Sequence, residues 1–157
     1  MTAPGWIDYF DDPDAPRVST LVPSINVVVT NGTDDILLIR RTDNGSWAIP
    51  GGAIDLGESV AQAAVRETLE ESGIECAITA IVDIYSDPKH VILYTSDGEV
   101  RQEFSIVLTA RPLSGRPTPS SGSSDVRWVP PSALQSYPMG RSMRLRINDF
   151  LSRDDHR

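Results

Sequence analysis

The chain has 157 residues, enough for one domain with a real core, and its 39% hydrophobic and 23% charged content reads as globular. A net charge of −8 argues against a nucleic-acid partner, which needs a basic surface, and no apolar run approaches the length that crosses a membrane. The acidic start, MTAPGWIDYFDDPDAP, lacks the apolar stretch of a leader, and the lone Cys76 excludes an internal disulfide, so a cytoplasmic protein is expected.

In chain order, residues 1–20 are rich in Asp and Pro and read as an N-terminal arm, pinned by Trp6, Tyr9 and Phe10. Residues 21–152 read as a single domain and 153–157 as a C-terminal tail. INVVVT (25–30) and ILLIRR (36–41) are β-branched and apolar, and Asn31-Gly32 between them predicts a hairpin. A short strand runs through Trp47 to Ile49. Gly51, Gly52 and Gly57 then permit a tight, irregular loop.

A helix follows, and both of its ends are written in the sequence. Ser59 is a good N-cap with Gln62 three residues on, which makes a capping box, and Gly73 suits the left-handed position that ends a helix. At about 100° per residue, Glu67, Glu70 and Glu71 fall within an arc of about 100°. Like charges at that spacing repel. Such a cluster is best explained if a hard divalent cation, Mg²⁺ or Mn²⁺, neutralises it. The competing reading is a solvated acidic face. Ala61, Ala64, Val65, Thr68 and Leu69 are expected to form the packing face.

Beyond the helix, ECAITAIVDIYS (75–86) reads as a long strand, with Cys76 a buried structural thiol. DPKH (87–90) is a turn that leaves His90 at the surface. VILYTS (91–96) and FSIVLTARPL (104–113) are expected to pair antiparallel around Asp97-Gly98. SGRPTPSSGSSD (114–125) is a polar loop, VRWV (126–129) a last strand, and 132–152 helical. Mixed strands with two main helices suit an α+β sandwich.

The stretch GAIDLGESVAQAAVRETLEESGI resembles the Nudix box, the signature of the Nudix hydrolases. Gly52, Glu58, Arg66, Glu67, Glu70, Glu71, Gly73 and Ile74 occupy their places, and only Thr68 departs, where an aliphatic residue is usual. WAIPGG before the box and RWVPPSAL near the end resemble the flanks of the family, so the likeness covers roughly Leu21 to Leu151. It implies an α/β/α sandwich with a mixed β-sheet, and hydrolysis of the diphosphate linkage in a nucleoside diphosphate derivative by water attack at phosphorus. ADP-ribose, a nucleotide sugar, and a normal or oxidised nucleoside triphosphate are all open as substrate. Pro88 lies close to where the ADP-ribose branch carries a proline.

On this reading Glu67 and Glu71 are the first choice of metal ligands, and Glu70 is a third ligand or the base. Glu58 binds the metal directly or through water, and the Gly52 carbonyl is a further ligand. Arg66 orients Glu70 across one helical turn. Gly51 and Gly52 also let a phosphate approach the backbone. Arg40, Arg41 and Trp47 are candidates for substrate binding, set against the plainer readings of solubility charges and a core aromatic. Glu103 and Asp125 are candidates for a general base outside the box. A non-catalytic nucleotide sensor on the same fold is the alternative, and a homodimer is possible, since dimers are common in the family.

Overall fold

The computed structural model describes residues 5–154, so 1–4 of the expected arm and 155–157 of the expected tail lie outside the described residues. Strands β1 (Trp6–Phe10), β2 (Thr20–Leu21), β3 (Ser24–Val29), β4 (Ile36–Arg41), β5 (Trp47–Ala48) and β6 (Gly51–Ala53) precede helix α1 (Val60–Ser72). After it come β7 (Glu75–Tyr85), β8 (His90–Tyr94), β9 (Val100–Gln102), β10 (Ser105–Ser114) and β11 (Ser123–Val129). A 3₁₀ turn (Pro131–Ser136) and helix α2 (Arg141–Asp154) follow.

The central sheet has the order β6-β3-β10-β7, with β3 and β10 parallel and the other pairs antiparallel. A three-stranded sheet, β11-β4-β5, continues the layer. The strand pleat sends alternate residues to opposite sides. Ile25, Val27, Val29, Leu37 and Ile39 pack with Ala63 and Ala64 of α1, whereas Val28, Ile36 and Leu38 pack with Ile147 and Phe150 of α2. The result is an α/β/α sandwich. A further sheet, β1-β8-β9-β2, lies beside it and walls one side of a cavity described below.

Two strand-pairing expectations are corrected. The run 25–30 and the run 36–41 do not form a hairpin: they meet in one bridge, Thr30 to Ile36, and then enter different sheets. Asp97-Gly98 turns β8 into the short β9, not into β10, which pairs instead with β7 and β3. Glu103 and Phe104 break the run between β9 and β10. The arm is also more ordered than its composition suggests, because β1 pairs with β8 over five residues. The turn at Asp97-Gly98 forms as read, and it is the long β10 that takes the distant strands β3 and β7 as partners.

Helix α1 carries the expected capping box between Ser59 and Gln62, and Gly73 ends it at φ 77°. Its buried residues are Ala63, Ala64, Thr68 and Ser72. Ala61 and Leu69, expected in the packing face, are exposed. The buried stripe is therefore rotated toward small side chains, which let the helix sit close to the sheet. Cys76 is buried as expected, and burial raises its thiol pKa.

Candidate active site

The site lies where β6 passes under α1. Gly51 and Gly52 pair with Asn26 and Ile25 of β3, which fixes the strand beneath the helix. A Cβ on Gly51 would lie 2.2 Å from the Ile25 carbonyl oxygen, so this position has no room for a side chain. The Gly51 N–H donates to Glu71 Oε1 at 3.0 Å. A Cβ on Gly52 would lie 2.7 Å from the Glu67 carboxylate. Two bare glycines thus let two carboxylates of α1 lie directly against the strand.

Glu71 has no ion pair among the described residues. Burial, chiefly, and the adjacent Glu67 carboxylate push its pKa up to about 8, against the pull of the Gly51 N–H and Arg41. The far end of the helix is held by Ser123, whose hydroxyl donates to the Glu71 carbonyl at 2.6 Å.

Arg66 is the electrostatic hub. Its Nε and Nη2 grip Glu58 at 2.6 and 2.8 Å, a two-point contact. Nη1 reaches Glu67 at 2.9 Å and Glu70 at 3.3 Å, and Nη2 also reaches Asp55 at 3.3 Å and the Ala53 carbonyl at 3.3 Å. These contacts raise the Arg66 pKa above its ordinary value and lower that of Glu58. Arg66 therefore orients Glu58 and Glu67 more closely than Glu70. Glu58 spends both oxygens on Arg66, while Glu70 stays exposed.

A cavity of about 430 Å³ opens beside Gly51 and Gly52. Arg41 lines it, paired with Asp43 at 3.0 Å and stacked over Trp6 at 4.4 Å. Arg40 does not line it; its Nε is bonded to the Gly45 carbonyl. Trp47 is buried against Tyr137 in the α2-side core, with ring centroids 5.0 Å apart, and offers no face to a base. Glu103 lines the cavity, whereas Asp125 sits on β11, bonded to Arg127 at 2.8 Å, and does not.

Several residues near Glu103 had no local signal in the sequence. Glu103 is buried and accepts a hydrogen bond from Ser105. Arg146 of α2 approaches it at 3.4 Å and also bonds the Asn26 side chain. His90, expected at the surface, is buried: Nε2 is 2.8 Å from Asp8, Nδ1 is 3.6 Å from Glu103, and its ring stacks on Phe10. Only the folded chain brings these groups together.

No group of three or more His, Cys, Asp or Glu side chains is drawn together into a ready metal cluster among the described residues. The donor chemistry still fits a hard cation. Glu67 and Glu71 lie side by side, and Glu71 is half-buried without an ion-pair partner among the described residues.

Comparison with known proteins places the chain in a family. A family model described as the NUDIX domain matches residues 20–150. A putative 8-oxo-dGTP diphosphatase of Bacillus subtilis (strain 168) is 35% identical over 124 residues, covering 79% of this chain and 76% of that protein. An ADP-ribose pyrophosphatase of Methanocaldococcus jannaschii is 43% identical over 56 residues, 34% of this chain and 33% of its own. The crystal structure of a NUDIX hydrolase from Nitrosomonas europaea shares the fold, with a TM-score of 0.70 at 20% identity over 89% of this chain and 75% of that one.

Proposed function

This chain belongs to the Nudix hydrolase family, and from that premise we propose that it cleaves the diphosphate linkage of a nucleoside diphosphate derivative with the help of a divalent cation. The observation that carries the reading is Glu71, half-buried beside Glu67 and held by the N–H of Gly51, a residue that lines the 430 Å³ cavity. That volume lies within the range of small-molecule sites.

Glu67 and Glu71 are the residues that would hold the cation, with Glu70 as the exposed third carboxylate. When bound, Mg²⁺ or Mn²⁺ neutralises charge on the diphosphate and lowers the pKa of a water. Arg66 keeps the Glu67 carboxylate turned toward Gly52 and neutralises Glu58 beside it. Arg41, in the cavity wall and paired with Asp43, is a cation within the cavity that an anionic substrate could meet. Glu103 lines the same cavity and is the base of choice over Asp125, which Arg127 holds outside it. The attacking water gives its proton to that carboxylate, its oxygen bonds to phosphorus, and the bridging P–O bond breaks.

The relatives named above act, by their names, on 8-oxo-dGTP and ADP-ribose, so both belong in the test. The experiment is a panel of ADP-ribose, nucleotide sugars, and normal and oxidised deoxynucleoside triphosphates, each with Mg²⁺ and then with EDTA. Metal-dependent release of a nucleoside monophosphate from one class names the substrate. Tight binding of one member with no turnover of any would favour a nucleotide sensor instead.

A further inference from the structure

A single side chain of α2, that of Arg146, joins Glu103 to β3. Glu103 lies in the break between β9 and β10, where its N–H donates to the His90 carbonyl at 3.1 Å. Only 7% of the residue is exposed, although it lines the cavity. A carboxylate buried with no cation beside it holds on to its proton and cannot act as a base.

Two groups able to carry positive charge face Glu103 Oε2: Arg146 Nη2 at 3.4 Å and His90 Nδ1 at 3.6 Å. Both distances exceed that of a strong hydrogen bond, so neither group saturates this oxygen, which can still accept the proton of a water. Oε1 accepts from the Ser105 hydroxyl. His90 is charged only when protonated, and its Nε2 is engaged by Asp8 at 2.8 Å. Arg146 is the permanent cation of the pair, because a guanidinium does not lose its proton in a protein.

Arg146 is itself locked in place. It is 4% exposed, and its Nη1 donates to the Asn26 side-chain oxygen. Its guanidinium lies 5.2 Å over the Tyr85 ring, and Tyr85 is fixed in turn by donating to Asp149 at 2.6 Å. Asn26 pairs with Gly51, and its side-chain nitrogen fills the space that a Gly51 Cβ would need. One guanidinium therefore ties Glu103 to the strand pair whose Gly51 N–H holds Glu71.

We propose that Arg146 is a positioning residue for the reaction above: it holds the Glu103 carboxylate in the cavity at a fixed place relative to Gly51 and Glu71. The inference rests on the reading of Glu103 as the base.

The test is steady-state kinetics with Mg²⁺ on the substrate panel above, using the member that wild type cleaves. Arg146→Gln should lower kcat by about 10- to 100-fold at unchanged KM, because a misplacement of about 1 Å is enough for such a loss. Arg146→Lys keeps the charge but cannot span both partners, and should lose about 3- to 10-fold. Glu103→Gln alone should lower kcat by at least about 100-fold. Adding Arg146→Lys to it should change kcat by less than about twofold further, since a residue that acts through Glu103 then has nothing left to position. If Arg146→Gln does not fold, Asn26→Ser carries the test with the same pattern, because it frees Arg146 Nη1 and leaves Glu103 itself unchanged. Equal losses with and without Glu103→Gln, a raised KM at wild-type kcat, or wild-type kcat in both Arg146→Lys and Asn26→Ser would overturn the inference and leave the hydrolase reading standing. A wild type that cleaves no panel member overturns the hydrolase reading, and Glu103→Gln with wild-type kcat overturns the reading of the base; either takes the inference with it.

Discussion

Alanine at Gly51 and alanine at Gly52 should fail in different ways, although the two positions are adjacent. A Cβ on Gly51 meets the Ile25 carbonyl oxygen and the Asn26 side-chain nitrogen, each at 2.2 Å. Ordinary contact begins at 3.4 Å, so the gap of 3.4 − 2.2 = 1.2 Å must come from the β6–β3 pairing itself. That is overpacking against backbone, and it should cost about 3 kcal/mol. For a chain of this size the melting temperature should fall by about 6–12 °C. On Gly52 the Cβ meets the Glu67 carboxylate at 2.7 Å, which is the end of a flexible side chain. Glu67 can turn away at about 1 kcal/mol, so stability should change little. The displaced carboxylate should instead lower metal affinity and turnover by about 10- to 100-fold. Calorimetric melting and metal-dependent turnover of both variants decide the matter. Equal loss of stability in the two, or a Gly52→Ala protein with wild-type turnover, would refute the reasoning.

Three further outcomes follow from the same geometry. Glu71 has a folded pKa raised to about 8 from an ordinary 4.5, so its contribution is complete below 4.5 and is lost as pH rises toward 8. The metal-free wild type should therefore lose about 1–3 kcal/mol relative to Glu71→Gln across that window, and Mg²⁺ should restore it; parallel melting curves for the two proteins from pH 5 to 8 would contradict this. Arg66→Lys keeps the charge but loses the two-point grip on Glu58, and kinetics at saturating and limiting metal should show a 10- to 100-fold loss of metal affinity or activity. Trp47→Ala should cost about 3–5 kcal/mol in denaturant melts and leave KM unchanged, because the ring is in the core; a raised KM in folded protein would put it at the substrate.

The box helix was legible because its determinants are local. Ser59, Gln62 and Gly73 set its ends, and helical spacing alone gathers Glu67, Glu70 and Glu71. The packing face was less so: Ala61 and Leu69 are apolar, but the close approach to the sheet favours Ala63, Ala64 and Ser72. Strand pairing was misread at Asn31-Gly32, where β3 and β4 enter different sheets, and in the run 104–113, which joins β3 and β7 while Asp97-Gly98 turns β8 into the short β9. Arg41 and Arg40 are neighbours on one strand and cannot be told apart by sequence; the pleat sends only Arg41 into the cavity. The cluster of Asn26, His90, Glu103 and Arg146 joins four separate segments, and no local pattern announces it.

The central claim is that Glu67 and Glu71 together hold a divalent cation. Titration with Mn²⁺, read by electron paramagnetic resonance, tests it without reference to any substrate. Wild type should bind Mn²⁺, Glu67→Gln and Glu71→Gln should each weaken it by at least about tenfold, and Asp125→Asn should leave it unchanged. Wild-type affinity in both glutamine variants would contradict the account.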